Sequence, residues 1–564
     1  MSLVDWLVLG ATLAAIVAYG VWKGRAVRTA DAYLRGGSDF KWYTIGLSIM
    51  ATQASAITFL STPGQAYEDG MGFVQFYFGL PIAMVLLCAT IVPVYHRLRV
   101  TTAYEYLEGR FDQKTRQLTA FLFLVQRGLG AGLSIYAPAI ILSSVLGLPL
   151  HLTNLVIGGF VILYTVSGGS RAVSQTQTPQ MVVMMGGMAL AFVFVLHALP
   201  AGVSLGDAFH VAGSLDRMKV IDLSARFDTR YTLWSGLTGG LFVALAYFGT
   251  DQSQVQRYLS GSTVAESRLG LLFNGLVKVP MQFFILLVGL MVFVFYQFNR
   301  PPVFFHEAEL ARVERTAHAP ALRRAEAAHA RAFADKQAQV ERYLAARRAH
   351  DGAAEAAARA GLREAEGRAR AARAAAKSVI KRALPGAEVK DADYVFITFV
   401  TRHFPRGLVG LLVAVIFCAA MSATASALSA LGSTTVVDFY RRSFVPAATD
   451  AHYLRAAKVF TVLWGALAVG FAAFASLLDN LIQAVNILGS IFYGPTLGVF
   501  LVGFFLKRVR GTPTFVALIA GQAAVLLTFA LSSIGFLWYN VIGCAAVVAL
   551  AVGLDAVWPR ARPV

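Results

Sequence analysis

Ser422, Ser426, Ser429 and Ser433 recur at intervals of four, three and four residues inside an otherwise apolar run. At 3.6 residues per turn they share one helix face. Such a stripe either packs against another helix, since Ser and Ala are common at membrane helix contacts, or offers oxygens to a hard cation, which takes hydroxyl and backbone carbonyl ligands. Periodicity leaves both open. Two other apolar runs change character part-way. IGLSIMATQASAITFLSTPGQAYEDG carries Thr52, Gln53, Ser55, Thr58, Ser61 and Thr62 ahead of Pro63 and Gly64, and SGLTGGLFVALAYFGTDQSQVQRYLS breaks its pattern at Tyr247, Phe248, Gly249, Thr250 and Asp251. An uninterrupted helix consumes all its backbone hydrogen-bonding groups, so a site deep in a bilayer is built where a helix is broken. Arg127 lies about ten residues into its apolar run, where an unpaired charge is costly and functional by default. Its guanidinium suits bidentate binding of a carboxylate or another anion; the alternative is that it snorkels to the interface or pairs with a buried acid. Lys278, close to Pro280, carries the same ambiguity, and Asp251 reads either as a titratable group in a pathway or as a helix cap.

The elements that hold these residues follow from composition. Of 564 residues, 57% are hydrophobic and 14% charged, against about 25% charged in a water-soluble domain. Mean hydropathy is +0.61. Several apolar runs exceed the roughly 20 residues that cross a ~30 Å hydrocarbon core, so the bilayer is the solvent for most of the chain and a single soluble core is excluded. The formal net charge of +18 does not point to nucleic acid, because the basic residues cluster between apolar runs, where positive charge sets membrane orientation. Cys88, Cys418 and Cys544 each fall inside an apolar run, which implies no disulfide framework. Leu3 to Trp22 begins with Asp5 rather than a basic region and lacks a small-residue cleavage site, so it reads as a retained first span.

Thirteen spans result, over 3–22, 41–66, 71–95, 117–146, 152–168, 179–199, 233–254, 269–298, 407–437, 457–478, 482–506, 514–536 and 537–557. One set of connections holds Lys23, Arg25, Arg28 and Arg35, then Arg97 and Arg99, Arg171, Arg257 and Arg268, Arg441 and Arg442, and Lys507, Arg508 and Arg510. The opposite connections near Pro149 and Asp479 to Asn480 lack Lys and Arg. This alternation places the N-terminus outside and the C-terminus, Arg560 to Val564, in the cytoplasm. The expected setting is a bacterial inner membrane.

The chain divides into an N-terminal span and loop (1–40), a helical block (41–299), an extramembrane insertion (300–393), a second block (394–506) and two accessory spans (507–564). The insertion is rich in Ala, Arg and Glu, and its near-total lack of large apolar residues leaves nothing to bury alone. It reads as a solvated helical hairpin on the outer face, laced with i,i+4 ion pairs, or as a partner-binding arm. Its histidines, His306, His318, His329 and His350, lack metal-ligand spacing.

Six stretches occur in an order that resembles the sodium/solute symporter family, which includes sugar, proline, iodide, monocarboxylate and vitamin carriers. They are ATQASAITFLSTPGQAYEDG, TTAYEYLEGRFDQKTRQ, IYAPAIILSSVLGL, YTVSGGSRAVSQTQTPQ, TDQSQVQRYLS and the serine run. The wording is nearest to the iodide, monocarboxylate and multivitamin branch. The resemblance implies an all-α integral membrane protein with a LeuT-type fold. Two inverted five-helix repeats, spans two to six and seven to eleven, are joined by an extra N-terminal helix and two C-terminal helices. It also implies alternating access with one coupling Na+, held by the backbone carbonyls of Ala51, Ala54 and Ala419 and the hydroxyl of Ser422; Ser426 matches a hydroxyl position in the iodide branch. The matching solute positions are Gln53, Thr58, Tyr77, Gln126, Tyr247 and Asn486, and Arg127 joins them if it faces the cavity.

Two departures bear on the ion. The residue after Ser422 usually carries a second hydroxyl, and here it is Ala423; the position after Thr176 is Asp in many members, and here it is Gln177. The first removes an oxygen from the sodium site and the second argues against a second sodium. The leading expectation is sodium-coupled symport of a small organic solute, a carboxylate among the candidates. The alternatives are a proton-coupled or uncoupled carrier of the same fold and a transporter-like sensor. Partners are the solute and the lipid bilayer, with no nucleic acid and no organic cofactor; oligomeric state is left open. The chain has no Walker A string, zinc-type Cys/His spacing or nucleophile elbow, so neither a primary pump nor an enzyme gains support.

Overall fold

The computed structural model describes residues 1–24, 29–37, 39–146, 148–386, 389–474 and 481–558. The loop cations Arg25 and Arg28, the connection at Asp479 and Asn480 and the C-terminal Arg560 to Val564 lie outside the described residues. In chain order the helices are α1 (Leu3–Gly24), α2 (Ala30–Arg35), α3 (Trp42–Gln53), α4 (Ala56–Asp69), α5 (Leu80–Ala89), α6 (Ile91–Leu98), α7 (Glu105–Arg110), α8 (Gln113–Leu146), α9 (Leu150–His197), α10 (Leu205–Ser214), α11 (Leu233–Leu237), α12 (Gly239–Thr250) and α13 (Gln252–Leu259). They continue as α14 (Val264–Phe298), α15 (Glu307–Val313), α16 (Ala319–Arg348), α17 (Gly352–Ala383), α18 (Ala392–His403), α19 (Leu408–Thr434), α20 (Asp450–Ala472), α21 (Leu481–Phe505), α22 (Gly511–Leu531) and α23 (Leu537–Val557). A 3-10 stretch, Gly70–Tyr77, leads into α5, and a π-helical stretch, Thr435–Phe444, prolongs α19.

Eleven helical stretches among the described residues are long and apolar enough to cross a bilayer. Two of them hold two passes each, which gives thirteen. Ala56–Leu98 turns back at the 3-10 stretch, and its first part, α4, completes the pass that α3 begins. Leu150–His197 is 48 residues long, about 72 Å at 1.5 Å per residue and more than twice a hydrocarbon core. Its two halves hinge at Gly169, where φ is 58°. That left-handed angle favours glycine, and a Cβ there would stand 2.4 Å from the Tyr33 ring. The sequence leaves 169–178 as a connection; the chain is helical again from Ser170, which puts Gln177 two turns inside a span.

Both expected interruptions are present, five passes apart. At the first, the Ser55 N–H donates to the Gln53 carbonyl (3.1 Å) and the Thr58 N–H to the Ser55 carbonyl (2.9 Å). An unbroken helix would have used the carbonyls of Ala51 and Ala54 instead, so both are released from the ladder. At the second, Asp251 (φ −79°, ψ 116°) separates α12 from α13 and caps the latter, its Oδ1 accepting from the Ser253 N–H at 2.9 Å and the Ser253 hydroxyl at 2.6 Å.

Neighbouring helices hold these half-helices closely. α14 lies along α3 and α4, with Gly289 against Pro63; a Cβ on Gly289 would stand 2.3 Å from the Pro63 carbonyl oxygen. α19 packs on α9, α8 and α1, and Asp5 of α1 accepts from the N–H groups of Gly407 (2.6 Å) and Gly410 (3.1 Å) at its start. One expected loop cation is misplaced by the sequence pattern. Arg257 is fully buried inside α13, donating to the Ser170 carbonyl (3.1 Å) and the Ser174 hydroxyl (2.6 Å) of α9.

The insertion is a hairpin of α16 and α17, but it is docked rather than simply solvated. Leu322, Phe333, Val340, Tyr343, Leu362 and Ile380 are buried; Val340, Tyr343 and Leu362 join the apolar core of the bundle, while Leu322 and Ile380 form a small core of the insertion's own with Val303, Phe304, Val313 and Val379. Arg348 pairs with Asp207 at 2.9 Å and Arg363 with Asp216 at 2.7 Å. The expected i,i+4 pairs are also present, at Glu364–Arg368 and Glu366–Arg370.

Gly289→Val tests the α4–α14 contact. Forcing side-chain atoms against the Pro63 backbone is expected to cost about 1–3 kcal/mol or more and to lower the apparent unfolding midpoint of the detergent-purified protein; an unchanged midpoint contradicts the contact.

Candidate solute and cation site

The two broken helices line one cavity of about 1040 Å³. All seven residues expected to meet the solute line it: Gln53, Thr58, Tyr77, Gln126, Arg127, Tyr247 and Asn486. They come from α3, α4, the 3-10 stretch, α8, α12 and α21. Gln53 Oε1 and Asn486 Nδ2 are buried without a hydrogen-bond partner among the described residues. Buried polar atoms are normally paired, so these two have capacity for a solute. Ser55, the last residue of the first break, lines the same cavity, as does Ala423.

Arg127 faces the cavity and also pairs with a buried acid. It lines the cavity, and its Nη2 pairs with the Asp251 carboxylate, while the guanidinium lies 5.3 Å from the centre of the Tyr247 ring. Asp251 likewise is both the cap of α13 and the counter-charge of Arg127. The sequence reading does not include Tyr493, whose hydroxyl joins this pair: it accepts from Gln126 Nε2 (3.2 Å) and Arg127 Nη2 (3.3 Å) and donates to Asp251 Oδ2 (3.1 Å). A tyrosine immediately before Gly494–Pro495 in an apolar run was the available signal. Arg127 Nε has no partner among the described residues. Breaking such a buried pair strands a charge at a cost of about 3–5 kcal/mol.

Lys278 does not reach the cavity. It is fully buried on α14, with its ammonium 5.7 Å from the centre of the Tyr77 ring and no hydrogen-bond partner among the described residues.

The two breaks treat their released carbonyls differently. At the second, the Gly249 and Thr250 carbonyls accept from the Tyr95 and Tyr104 hydroxyls, each at 2.9 Å. The protein fills that break itself. At the first, the Ala51 carbonyl accepts from the Ser422 hydroxyl at 2.8 Å, so the expected sodium ligands on α3 and α19 do meet. Ser426 joins them, 3.0 Å from the Thr52 hydroxyl. Ala54 and Ala419 are fully buried, Ala54 inside the break and Ala419 three residues before Ser422. The serine stripe divides here, because Ser433 turns to the Leu34 carbonyl at 3.4 Å and Ser429 has no partner among the described residues.

Gln177 sits in the middle of this oxygen cluster. Its Nε2 lies 2.8 Å from the Ser426 hydroxyl, 3.0 Å from those of Thr52 and Ser422, and 3.4 Å from the Ser422 carbonyl. Its Oε1 accepts from the Ser48 hydroxyl. A primary amide has two N–H donors, so four oxygens converge on two protons. The cluster is richer in acceptors than in donors, and no formally charged residue takes part.

The comparisons with known proteins agree with this architecture. Residues 33–313 and 371–521 match the sodium:solute symporter family. The sodium/sialic acid symporter SiaT of Proteus mirabilis is 24% identical over 555 residues, covering 97% of this chain and 93% of the relative. The human sodium-coupled monocarboxylate transporter 1 is 27% identical over 524 residues, 92% of this chain and 72% of the relative. The human sodium/iodide cotransporter is 33% identical over 299 residues, 52% of this chain and 45% of the relative. A solved structure of a Na+-coupled sialic acid symporter, in a substrate-bound outward-open state, matches over 100% of both chains with a TM-score of 0.77 at 23% identity, which shows the fold. The chain belongs to the sodium:solute symporter family and is a multi-pass membrane carrier that couples transport of a small organic solute to sodium.

Proposed function

We propose that the solute is a small carboxylate, bound between the start of α4 and Arg127, and that one sodium ion is held by the carbonyls of Ala51, Ala54 and Ala419 and the hydroxyls of Ser422 and Ser426. One observation supports the solute class above others. The first-turn N–H groups of α4 have no side-chain cap, and that turn opens on the same cavity as the Arg127 guanidinium with its free Nε. Uncapped helix N-termini favour anions, and broken membrane helices use that end for anionic groups. Relatives are named for sialic acid, monocarboxylates and iodide, which is consistent with an anionic solute.

A single sodium follows from the difference between the two breaks, since only the first leaves carbonyls and hydroxyls in excess. Gln177 stands where a carboxylate would serve a second ion. The cage is neutral, so sodium is held weakly and depends on the solute for part of its stabilisation. Gln177 competes directly: an entering cation must displace its N–H groups from three hydroxyls. A half-turn about the last torsion of Gln177 replaces those N–H groups with Oε1 and adds a ligand. The ion then joins α3 to α19, which biases the protein toward the state in which both are close. In this reading the hairpin and the N-terminus lie outside a bacterial inner membrane, the C-terminus lies in the cytoplasm, and the solute enters by alternating access. The Arg116–Asp438 pair at 2.7 Å and the Arg442–Glu108 pair then close the cytoplasmic side.

Ser422→Ala removes a hydroxyl that bridges α19 to the first break. In proteoliposomes it is expected to raise the sodium concentration for half-maximal uptake by about tenfold or more, equivalent to about 1.4 kcal/mol; an unchanged sodium dependence contradicts the cage. For the solute class, uptake of lactate, glucose and proline is compared under an inward sodium gradient. Lactate should accumulate in the wild type. The double variant Arg127→Gln/Asp251→Asn, which strands no charge, should lose it by about tenfold or more. Accumulation of glucose or proline instead, or unimpaired lactate uptake in the double variant, overturns the carboxylate reading.

A further inference from the structure

A second cavity, of about 800 Å³, lies where the hairpin meets the ends of α4 and α14. Five cationic side chains line it, Arg217, Lys336, Arg370, Arg373 and Lys377, against the carboxylates of Glu68 and Glu366. Four of the five are paired. Lys336 (3.3 Å) and Arg370 (2.8 Å) share Glu366, while Arg373 (2.8 Å) and Lys377 (2.5 Å) share Asp391, and Arg373 also reaches Glu68 at 3.5 Å. With Asp391 counted, positive charge exceeds negative by two, and Asp69, which acts on Arg217 from nearby, brings the excess to one.

Arg217 accounts for much of that excess. It is only 8% exposed, forms no ion pair among the described residues, and its Nε has no partner. Its guanidinium is 4.9 Å from the centre of the Phe293 ring, which uses one face and leaves the edge toward the cavity. Arg373 Nε is also without a partner among the described residues. Burial pushes the pKa values of Arg217 and Lys336 down, and burial holds His329 at about 4, neutral at physiological pH. A buried cation is costly unless it is paired and hydrogen-bonded. Docking of the hairpin creates that cost here, and for Arg217 the carboxylates of Glu366 and Asp69 offset it only in part.

We propose that this junction is a binding site for a small soluble dianion bearing carboxylates or a similar oxyanion, separate from the central cavity. The local excess is positive, and the unpartnered Nε groups of Arg217 and Arg373 offer two guanidinium donors to a pair of carboxylates or a similar oxyanion. The site also has leverage. Tyr67 of its wall and Thr58 of the central cavity belong to one helix, α4, nine residues or about 14 Å apart. An occupant therefore ties the hairpin to the far end of the half-helix that opens on the central cavity. This inference does not rest on the carboxylate reading of the transported solute.

The test uses the full chain purified in detergent, with succinate as the probe and acetate and sodium chloride at matched ionic strength and sodium concentration as controls. Succinate should raise the apparent unfolding midpoint saturably, at concentrations about tenfold lower than acetate. The response should vanish in Arg217→Gln, which breaks no ion pair, and persist in Arg127→Gln/Asp251→Asn, which disables the central cavity. Arg217→Lys keeps the charge but not the planar fork, so it is read beside Arg217→Gln and should weaken the response about threefold or more. A response equal to that of sodium chloride, one unchanged in both Arg217 variants, or one lost only in the central-cavity variant overturns the proposal. The same assay in nanodiscs distinguishes the source of the oxyanion. Stabilisation through Arg217 by anionic lipid, with none by succinate, assigns the site to a lipid headgroup and overturns a soluble ligand.

Discussion

Backbone hydrogen bonding inside a bilayer is the constraint on which this structure depends. Each unpaired backbone group in hydrocarbon costs several kcal/mol, so a helix is interrupted at mid-depth only where something replaces the lost bonds. The replacement differs at the two breaks, and that difference sorts their roles. Tyr95 and Tyr104 donate to the carbonyls released beside Asp251, and Asp251 itself caps the helix that follows. The second break is thereby complete within the protein. The first is not: Ser422 serves the Ala51 carbonyl, the Thr58 N–H turns to the Ser55 carbonyl, and Ser55 gives the start of α4 no side-chain cap. Released carbonyls lie on one side of that break and released N–H groups on the other, which is the arrangement a cation and an anion need together.

Buried charge is managed in the same spirit. Arg127 is compensated by Asp251 and Tyr493, so it presents a donor to the cavity without a large unpaired charge there. Arg116 meets Asp438 at 2.7 Å and Glu108 at 2.7 Å, joining α8 to the π-helical end of α19. Arg257 has only neutral oxygens for partners, on α9 and within α13. Each of these contacts ties a half-helix or helix end to its neighbour. The hairpin side instead carries cationic side chains where it meets the ends of α4 and α14, and Arg217 there forms no ion pair among the described residues.

Much of this was legible in the sequence, for physical reasons that can be named. Length and apolarity reveal spans because bilayer thickness is fixed, and both broken helices showed themselves by polar residues where lipid-facing helices have none. The thirteen passes and the seven cavity residues follow from that pattern together with the family resemblance. Three features were not legible. The connection expected at 169–178 is helical because a single glycine with positive φ makes the bend, which a polar composition disguises as a loop. Arg257 resembled a loop cation because its partners, the Ser170 carbonyl and the Ser174 hydroxyl, come from a distant helix that no local pattern announces. The hairpin looked solvated because the apolar surface that buries Val340, Tyr343 and Leu362 belongs to the core of the bundle, and because the few apolar residues that close its own small core are scattered from Val303 to Ile380.

The role of Gln177 ties these strands together. The sequence marks it as the missing carboxylate of a second site, whereas its amide lies among the Thr52, Ser422 and Ser426 oxygens, two of which belong to the cage proposed for the first. In the proposed cage the two N–H groups of Gln177 compete with a sodium ion for Ser422 and Ser426. Measuring the sodium concentration that half-saturates stabilisation of purified Gln177→Asp, beside the wild type, addresses that competition directly. Replacing the competing amide by a carboxylate among the same oxygens should lower that concentration by about tenfold or more. An unchanged or higher value would contradict the placement of sodium at this cage.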